Sequence, residues 1–167
     1  PRSGMLEEDE FNEVRDLVRC QAEKTEINAA VERIRDRLNP HPAGQMTHNV
    51  PHVDGEPIPG LQHKYRETVL FFPAHGQTCH AYCTFCFRWA QFIGDEDLKF
   101  ANKEVDQLVR YLRQHQEVTD VLFTGGDPMV MKAKVLERYI RPILEDPELE
   151  HIRTIRIGTK SVAYWPQ

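Results

Sequence analysis

The sequence has no apolar run approaching the roughly 18 residues that a membrane-spanning helix requires. It also has no basic surplus, with a formal net charge of −5 over 167 residues. The first absence argues against insertion through a helix. The second argues against a general nucleic-acid or anionic-membrane binder, whose affinity comes from lysine and arginine set against phosphate. The opening residues, Pro1-Arg2-Ser3-Gly4-Met5, lead into acidic residues and not into an apolar stretch, so they do not read as a secretory signal. A chain that starts at Pro1 is expected to begin inside a longer reading frame or after processing. Internal repeats and low-complexity tracts are lacking. Cysteine is scarce and unevenly spread: of four, three stand at 79, 83 and 86, and Cys20 is remote. Close spacing without an export signal favours metal binding or catalysis over disulfides, and a reducing cytoplasm as the compartment.

What is present divides into three parts. Residues 1–40 read as a helical segment, with Phe11, Val14, Leu17 and Val18, then Ile27, Val31, Ile34 and Leu38, at helical spacing. The acidic run Glu7-Glu8-Asp9-Glu10 suits a helix N-terminus through the macrodipole, and Asn39-Pro40-His41-Pro42 ends the segment. Residues 41–66 are rich in proline and glycine and carry no apolar period, which predicts an extended arm laid over the next unit or over a partner chain.

Residues 67–167 change rhythm. Thr68-Val69-Leu70-Phe71-Phe72 is a short apolar run suited to a buried parallel strand. Phe100, Val105, Leu108, Val109 and Leu112 mark a helix ending near Gln116. Asp120–Phe123 is a second strand, Val135–Leu144 a second helix kinked at Pro142, and Ile152–Gly158 a third strand. Strand, helix, strand, helix, strand is the α/β pattern of parallel strands joined by crossover helices. The expected fold is the first part of a (β/α) barrel, three βα units preceded by helices and an arm. Such a part exposes strand edges and needs completion by further chain or a second copy.

In parallel α/β folds the working loops follow the C-terminal ends of the strands. Three such loops are expected on one face: Cys79-His80-Ala81-Tyr82-Cys83-Thr84-Phe85-Cys86-Phe87-Arg88, then Thr124-Gly125-Gly126-Asp127-Pro128, then Gly158-Thr159-Lys160-Ser161. Thiolate is a soft ligand suited to iron–sulfur clusters and to zinc. A C-x3-C-x2-C run can hold three corners of a cubane and leave its fourth iron open. With His75 or His80, the same cysteines would instead make a Cys3His zinc set. Tyr82, Phe85 and Phe87 would limit water at the site. Paired glycines let backbone approach a ligand closely.

The cysteine run directly after a first parallel strand resembles the radical S-adenosylmethionine superfamily. Thr124-Gly125-Gly126-Asp127-Pro128 is similar to the S-G-G-D-P stretch of the lysine 2,3-aminomutase family within it. Pro59-Gly60-Leu61-Gln62-His63-Lys64-Tyr65 and Ile155-Arg156-Ile157-Gly158-Thr159-Lys160, with Pro166-Gln167, resemble further stretches of that family. The resemblance implies a partial TIM barrel in which Cys79, Cys83 and Cys86 ligate a [4Fe–4S] cluster. It implies that S-adenosylmethionine binds the open iron and is cleaved to a 5′-deoxyadenosyl radical. Gly125, Gly126 and Asp127 would line that cofactor's place, and Arg88 would contact it. The implied activity is amino-acid isomerisation by 1,2-amino migration, fed by a flavodoxin- or ferredoxin-type donor, with a homo-oligomer as the assembly. Family members also bind pyridoxal phosphate. The two basic positions before the first strand that help hold its phosphate read Lys64 and Thr68 here, so one charge is missing. The alternatives are a radical enzyme that works without pyridoxal phosphate on another substrate, and a non-enzymatic zinc- or cluster-binding module.

Overall fold

The computed structural model describes residues 6–38, 44, 46–81, 83, 86, 88–92 and 98–164. The expected break at Asn39–Pro42, the aromatic neighbours Tyr82, Phe85 and Phe87, and Pro166-Gln167 lie outside the described residues. The chain forms two compact units, residues 1–41 and 42–167.

The first unit is a pair of helices, α1 (Glu8–Arg19) and α2 (Lys24–Leu38). The acidic run starts α1: Glu8, Asp9 and Glu10 fill its first turn, and the Glu7 amide donates to the Glu10 carboxylate at 3.0 Å. Between the helices Gln21 takes a left-handed conformation, φ +57°. Ion pairs Arg33–Glu13 and Arg37–Glu10 join the two helices at exposed positions, where water screens them.

The second unit is built on a four-stranded sheet ordered β3 (Leu61–Tyr65), β4 (Thr68–Phe71), β5 (Asp120–Phe123) and β6 (Thr154–Ile157). The last three strands are parallel and in unbroken register, so Phe71, Phe123 and Ile157 lie side by side at their C-terminal ends. Crossover helices α3 (Val105–Gln114) and α4 (Ala133–Glu145) connect them, and a short α5 (Ser161–Tyr164) follows. This is the mixed α/β, partly barrel-like arrangement that the strand–helix order predicts.

Alternation along β4 and β5 decides the packing. Val69, Phe71, Val121 and Phe123 are fully buried in one core with Leu108, Tyr111 and Leu112 of α3 and Tyr139 and Ile143 of α4. Phe71 sits 5.6 Å, ring centre to ring centre, from both Phe123 and Tyr139. Each such fully buried side chain contributes on the order of 1.5–3 kcal/mol relative to exposure. Leu70 and Leu122, on the opposite face, are half-buried.

Two segments differ from the expectation. The stretch 41–66 is not a bare arm. It contains a small hairpin, β1 (His52–Val53) with β2 (Glu56–Pro57), and its last residues become β3, an antiparallel strand added beside β4. Leu61 there is fully buried opposite Phe71. The hairpin from β3 to β4 turns at Arg66-Glu67, which lacks the glycine or asparagine that usually marks a tight turn. Phe100 is not on the helix either. It lies on the returning chain, packed 5.5 Å from the Phe72 ring.

That return passes through Asn102, a buried residue that composition did not single out. Its backbone brackets Pro73: the Asn102 amide donates to the Phe72 carbonyl, and the Ala74 amide donates to the Asn102 carbonyl, both at 2.8 Å. Its side chain donates to the Pro59 carbonyl and Gln107 Oε1 at 2.8 Å, and accepts from the Glu104 amide at 2.6 Å. The long excursion after β4 is thereby pinned shut at its base. Asn102→Ala is expected to destabilise the fold by about 1–3 kcal/mol through the buried groups it leaves unpaired. A urea titration followed by tryptophan fluorescence measures this.

Candidate metal centre

The register of β4, β5 and β6 brings the three expected loops out at one edge of the sheet. The first leaves β4 through a tight turn, Ala74–Gly76. His75 Nδ1 hydrogen-bonds the Tyr139 hydroxyl at 2.7 Å, which ties this turn to α4. Cys79, Cys83 and Cys86 follow as free, half-buried thiols, while Cys20 is exposed in the other unit. The Cys86 amide donates to the Cys83 carbonyl at 3.0 Å, closing a turn between these two. The Ala81 amide donates to Cys79 Sγ at 3.4 Å, the kind of contact that stabilises thiolate charge. Among the described residues no three His, Cys, Asp or Glu side chains converge as they would around one metal ion.

Arg88 is 8% exposed, with its guanidinium carbon 3.5 Å from the centre of the Phe72 ring. Burial pulls it down to about 9, a shift partly opposed by Cys86, and leaves it cationic at neutral pH. The residue named as a cofactor contact is therefore a buried cation beside the last cysteine, laid on an aromatic face.

The second loop packs directly on the first. Gly125 has φ +136°, and a Cβ there would meet Gln77 Nε2 at 2.2 Å. A Cβ on Gly126 would lie 2.1 Å from the Thr78 carbonyl oxygen and 2.6 Å from its nitrogen. The glycine pair thus clears space for the backbone immediately before Cys79. Asp127 is 1% exposed. Its amide donates to the Thr78 carbonyl at 2.7 Å. Its carboxylate turns inward, accepting from the Met129 amide at 2.9 Å and, from the third loop, the Thr159 hydroxyl at 2.6 Å and the Lys160 amide at 2.9 Å. Burial pushes this carboxyl up, but those three donors and the nearby His80 outweigh it and hold its pKa below the ordinary value. The stability it contributes is complete above the ordinary carboxylate range and is lost as pH falls through the lowered value.

Donor chemistry fits a cluster with an open iron: three soft thiols on one closed loop, half-buried, with an amide aimed at one sulfur. Gln77 Oε1, beside Gly125, is a buried acceptor without a partner among the described residues, suited to a cofactor's donor. Pyridoxal phosphate fits less well. Thr68 donates to the Asp120 carboxylate at 3.0 Å, Arg156 of β6 pairs with the same carboxylate, and Lys64 lies exposed over Tyr65.

Sequence reasoning missed Asn102, whose only signal is an Asn two residues before the N-cap Glu104 of α3, and Gln77, which carries none.

The Radical SAM superfamily model matches residues 74–165, from the turn after β4 through all three loops. The chain belongs to the radical SAM superfamily. The relatives it matches include several lysine 2,3-aminomutases. The L-lysine 2,3-aminomutase of Clostridium subterminale is 32% identical over 159 residues, 93% of this chain and 34% of that protein. That of Acetoanaerobium sticklandii is 34% identical over 131 residues, 78% of this chain and 30% of that protein. A protein of Aquifex aeolicus, provisionally designated an L-lysine 2,3-aminomutase, is 38% identical over 109 residues, 65% of this chain and 27% of its own length. The chain thus spans about a quarter to a third of the curated relatives it matches.

Proposed function

We propose that this chain is the cluster-bearing part of a radical S-adenosylmethionine enzyme of the lysine 2,3-aminomutase type, acting on a small amino-acid substrate. The observation that carries it is the packing of the glycine pair on the backbone before Cys79, which makes the cysteine loop and the Gly125-Gly126-Asp127 loop a single site. Cys79, Cys83 and Cys86 would hold a [4Fe–4S] cluster, with Gly125, Gly126 and Gln77 beside S-adenosylmethionine. Such a cluster, once reduced, supplies one electron for carbon–sulfur cleavage and so a carbon radical able to abstract hydrogen. The chain's own part is to set three thiols, place the buried Arg88 charge next to Cys86, and exclude water with Phe72 and Phe100. A flavodoxin- or ferredoxin-type donor would supply the electron. No helix among the described residues is long and apolar enough to cross a membrane, and the reading places the enzyme in the cytoplasm.

Anaerobic protein, reconstituted with iron and sulfide and reduced with dithionite, is expected to convert S-adenosylmethionine to 5′-deoxyadenosine and methionine. Chromatography of the quenched reaction checks this, and a cluster-loaded protein that yields neither product would overturn the reading. A second reading keeps radical formation and drops pyridoxal phosphate. It is favoured by the engagement of Thr68 with Asp120 and by the missing charge at that position. In the family the Schiff-base lysine lies downstream of Gln167, so the check is made on the full-length protein, where unchanged absorbance on adding pyridoxal phosphate would support this second reading.

A further inference from the structure

Protein donors engage both oxygens of the Asp127 carboxylate. Oδ1 receives the Thr159 hydroxyl and the Met129 amide, and Oδ2 receives the Lys160 amide. A carboxylate this buried is tolerated only when protein donors replace its water. Two of the three donors come from the loop after β6, across the sheet from the cysteines. On the other side, the Asp127 amide grips the Thr78 carbonyl, one residue before Cys79. Thr159 is itself oriented, because its hydroxyl oxygen accepts from the Ser161 amide at 2.9 Å. Its proton is thereby directed at Asp127.

We infer that Asp127 is a positioning residue that couples the third loop to the cysteine loop, so that Thr159, acting through Asp127, sets where Cys79 stands. The inference rests on reading the cysteine loop as a cluster loop for its functional meaning, but the coupling itself is a property of the polypeptide alone. It assigns the third loop a part in building the site without touching a cofactor. It also explains why the acid at this position is followed by a turn: the Met129 amide of the Pro128–Val130 turn is one of its donors. An asparagine could not substitute. Its NH2 group would face either the Lys160 amide or the Met129 amide, setting donor against donor.

The test uses the chain before iron is added and reads the rate at which Cys79 is alkylated by iodoacetamide, by mass spectrometry, with Cys20 as internal reference. Thr159→Val removes the hydroxyl and keeps the shape. It is expected to speed Cys79 alkylation about tenfold, the effect of losing one charge-assisted hydrogen bond. Asp127→Asn should do at least as much, Thr159→Ser should restore the wild-type rate, and Cys20 should not change. If Asp127→Asn fails to fold, Thr159→Val and its serine rescue still decide. An unchanged Cys79 rate in Thr159→Val, with faster hydrogen exchange at the Lys160 amide, would overturn the coupling, because the hydroxyl would then serve the third loop alone. Iron and sulfide analysis after reconstitution separates the two ideas. A wild-type chain that takes up no cluster, yet shows the coupled alkylation, supports the coupling and sinks the cluster reading.

Discussion

Replacing Cys79, Cys83 or Cys86 by alanine is expected to abolish cluster assembly, while Cys20→Ala leaves iron and sulfide per chain at the wild-type level. The three thiols share one loop that leaves the sheet at Pro73 and is closed at its base by Asn102. A cubane held by three thiolates has no spare ligand, and each loss exposes a second iron to water. Cys20 caps α1, is exposed, and directs its sulfur to the Leu17 carbonyl at 3.4 Å. Colorimetric iron and acid-labile sulfide determinations, with the visible absorption of the cluster, check the set. Bleaching by Cys20→Ala, or full iron retention in any of the other three variants, would show that the ligands are wrongly assigned.

Gly126→Ala is expected to be strongly damaging to both fold and site. The new Cβ would stand 2.1 Å from the Thr78 carbonyl oxygen and 2.5 Å from its carbon, and these are backbone atoms that cannot rotate aside. One loop must move off the other, and the Asp127 amide then loses the Thr78 carbonyl it holds at 2.7 Å. Overpacking of this kind costs about 1–3 kcal/mol or more, and here the displaced residue adjoins Cys79. We expect a lowered urea midpoint together with loss of most of the cluster. Gly125→Ala should be damaging for a different reason, since φ +136° is a backbone conformation that alanine rarely adopts. Wild-type cluster content in Gly126→Ala would mean that the two loops are not packed as described.

Much of this was legible one residue at a time. Strands β4, β5 and β6 are short apolar runs, and their alternation of Val69 and Phe71 against Leu70 is local information. The cysteine motif is local as well, because all three thiols lie on one loop. What the sequence hid depends on partners far along the chain. β3 lies in a stretch of prolines and glycines and is recognisable only by pairing with β4. Phe100 continues the helical spacing of Val105 and Leu108, yet it is held by Phe72 across the excursion. The resemblance of Thr124-Gly125-Gly126-Asp127-Pro128 to S-G-G-D-P implies Asp127 at the cofactor's place, but nothing local signals its hydrogen-bond partners. In the structure its carboxylate is taken up by Thr159 and Lys160, more than thirty positions away.

Electron paramagnetic resonance tests the central claim most directly. The protein is purified without oxygen, reconstituted with iron and sulfide, reduced, and measured with and without S-adenosylmethionine. The account predicts a [4Fe–4S]⁺ signal that changes shape when S-adenosylmethionine is added, as an iron with an open coordination position requires. A protein that forms no cluster, and holds zinc on the same cysteines, would contradict it.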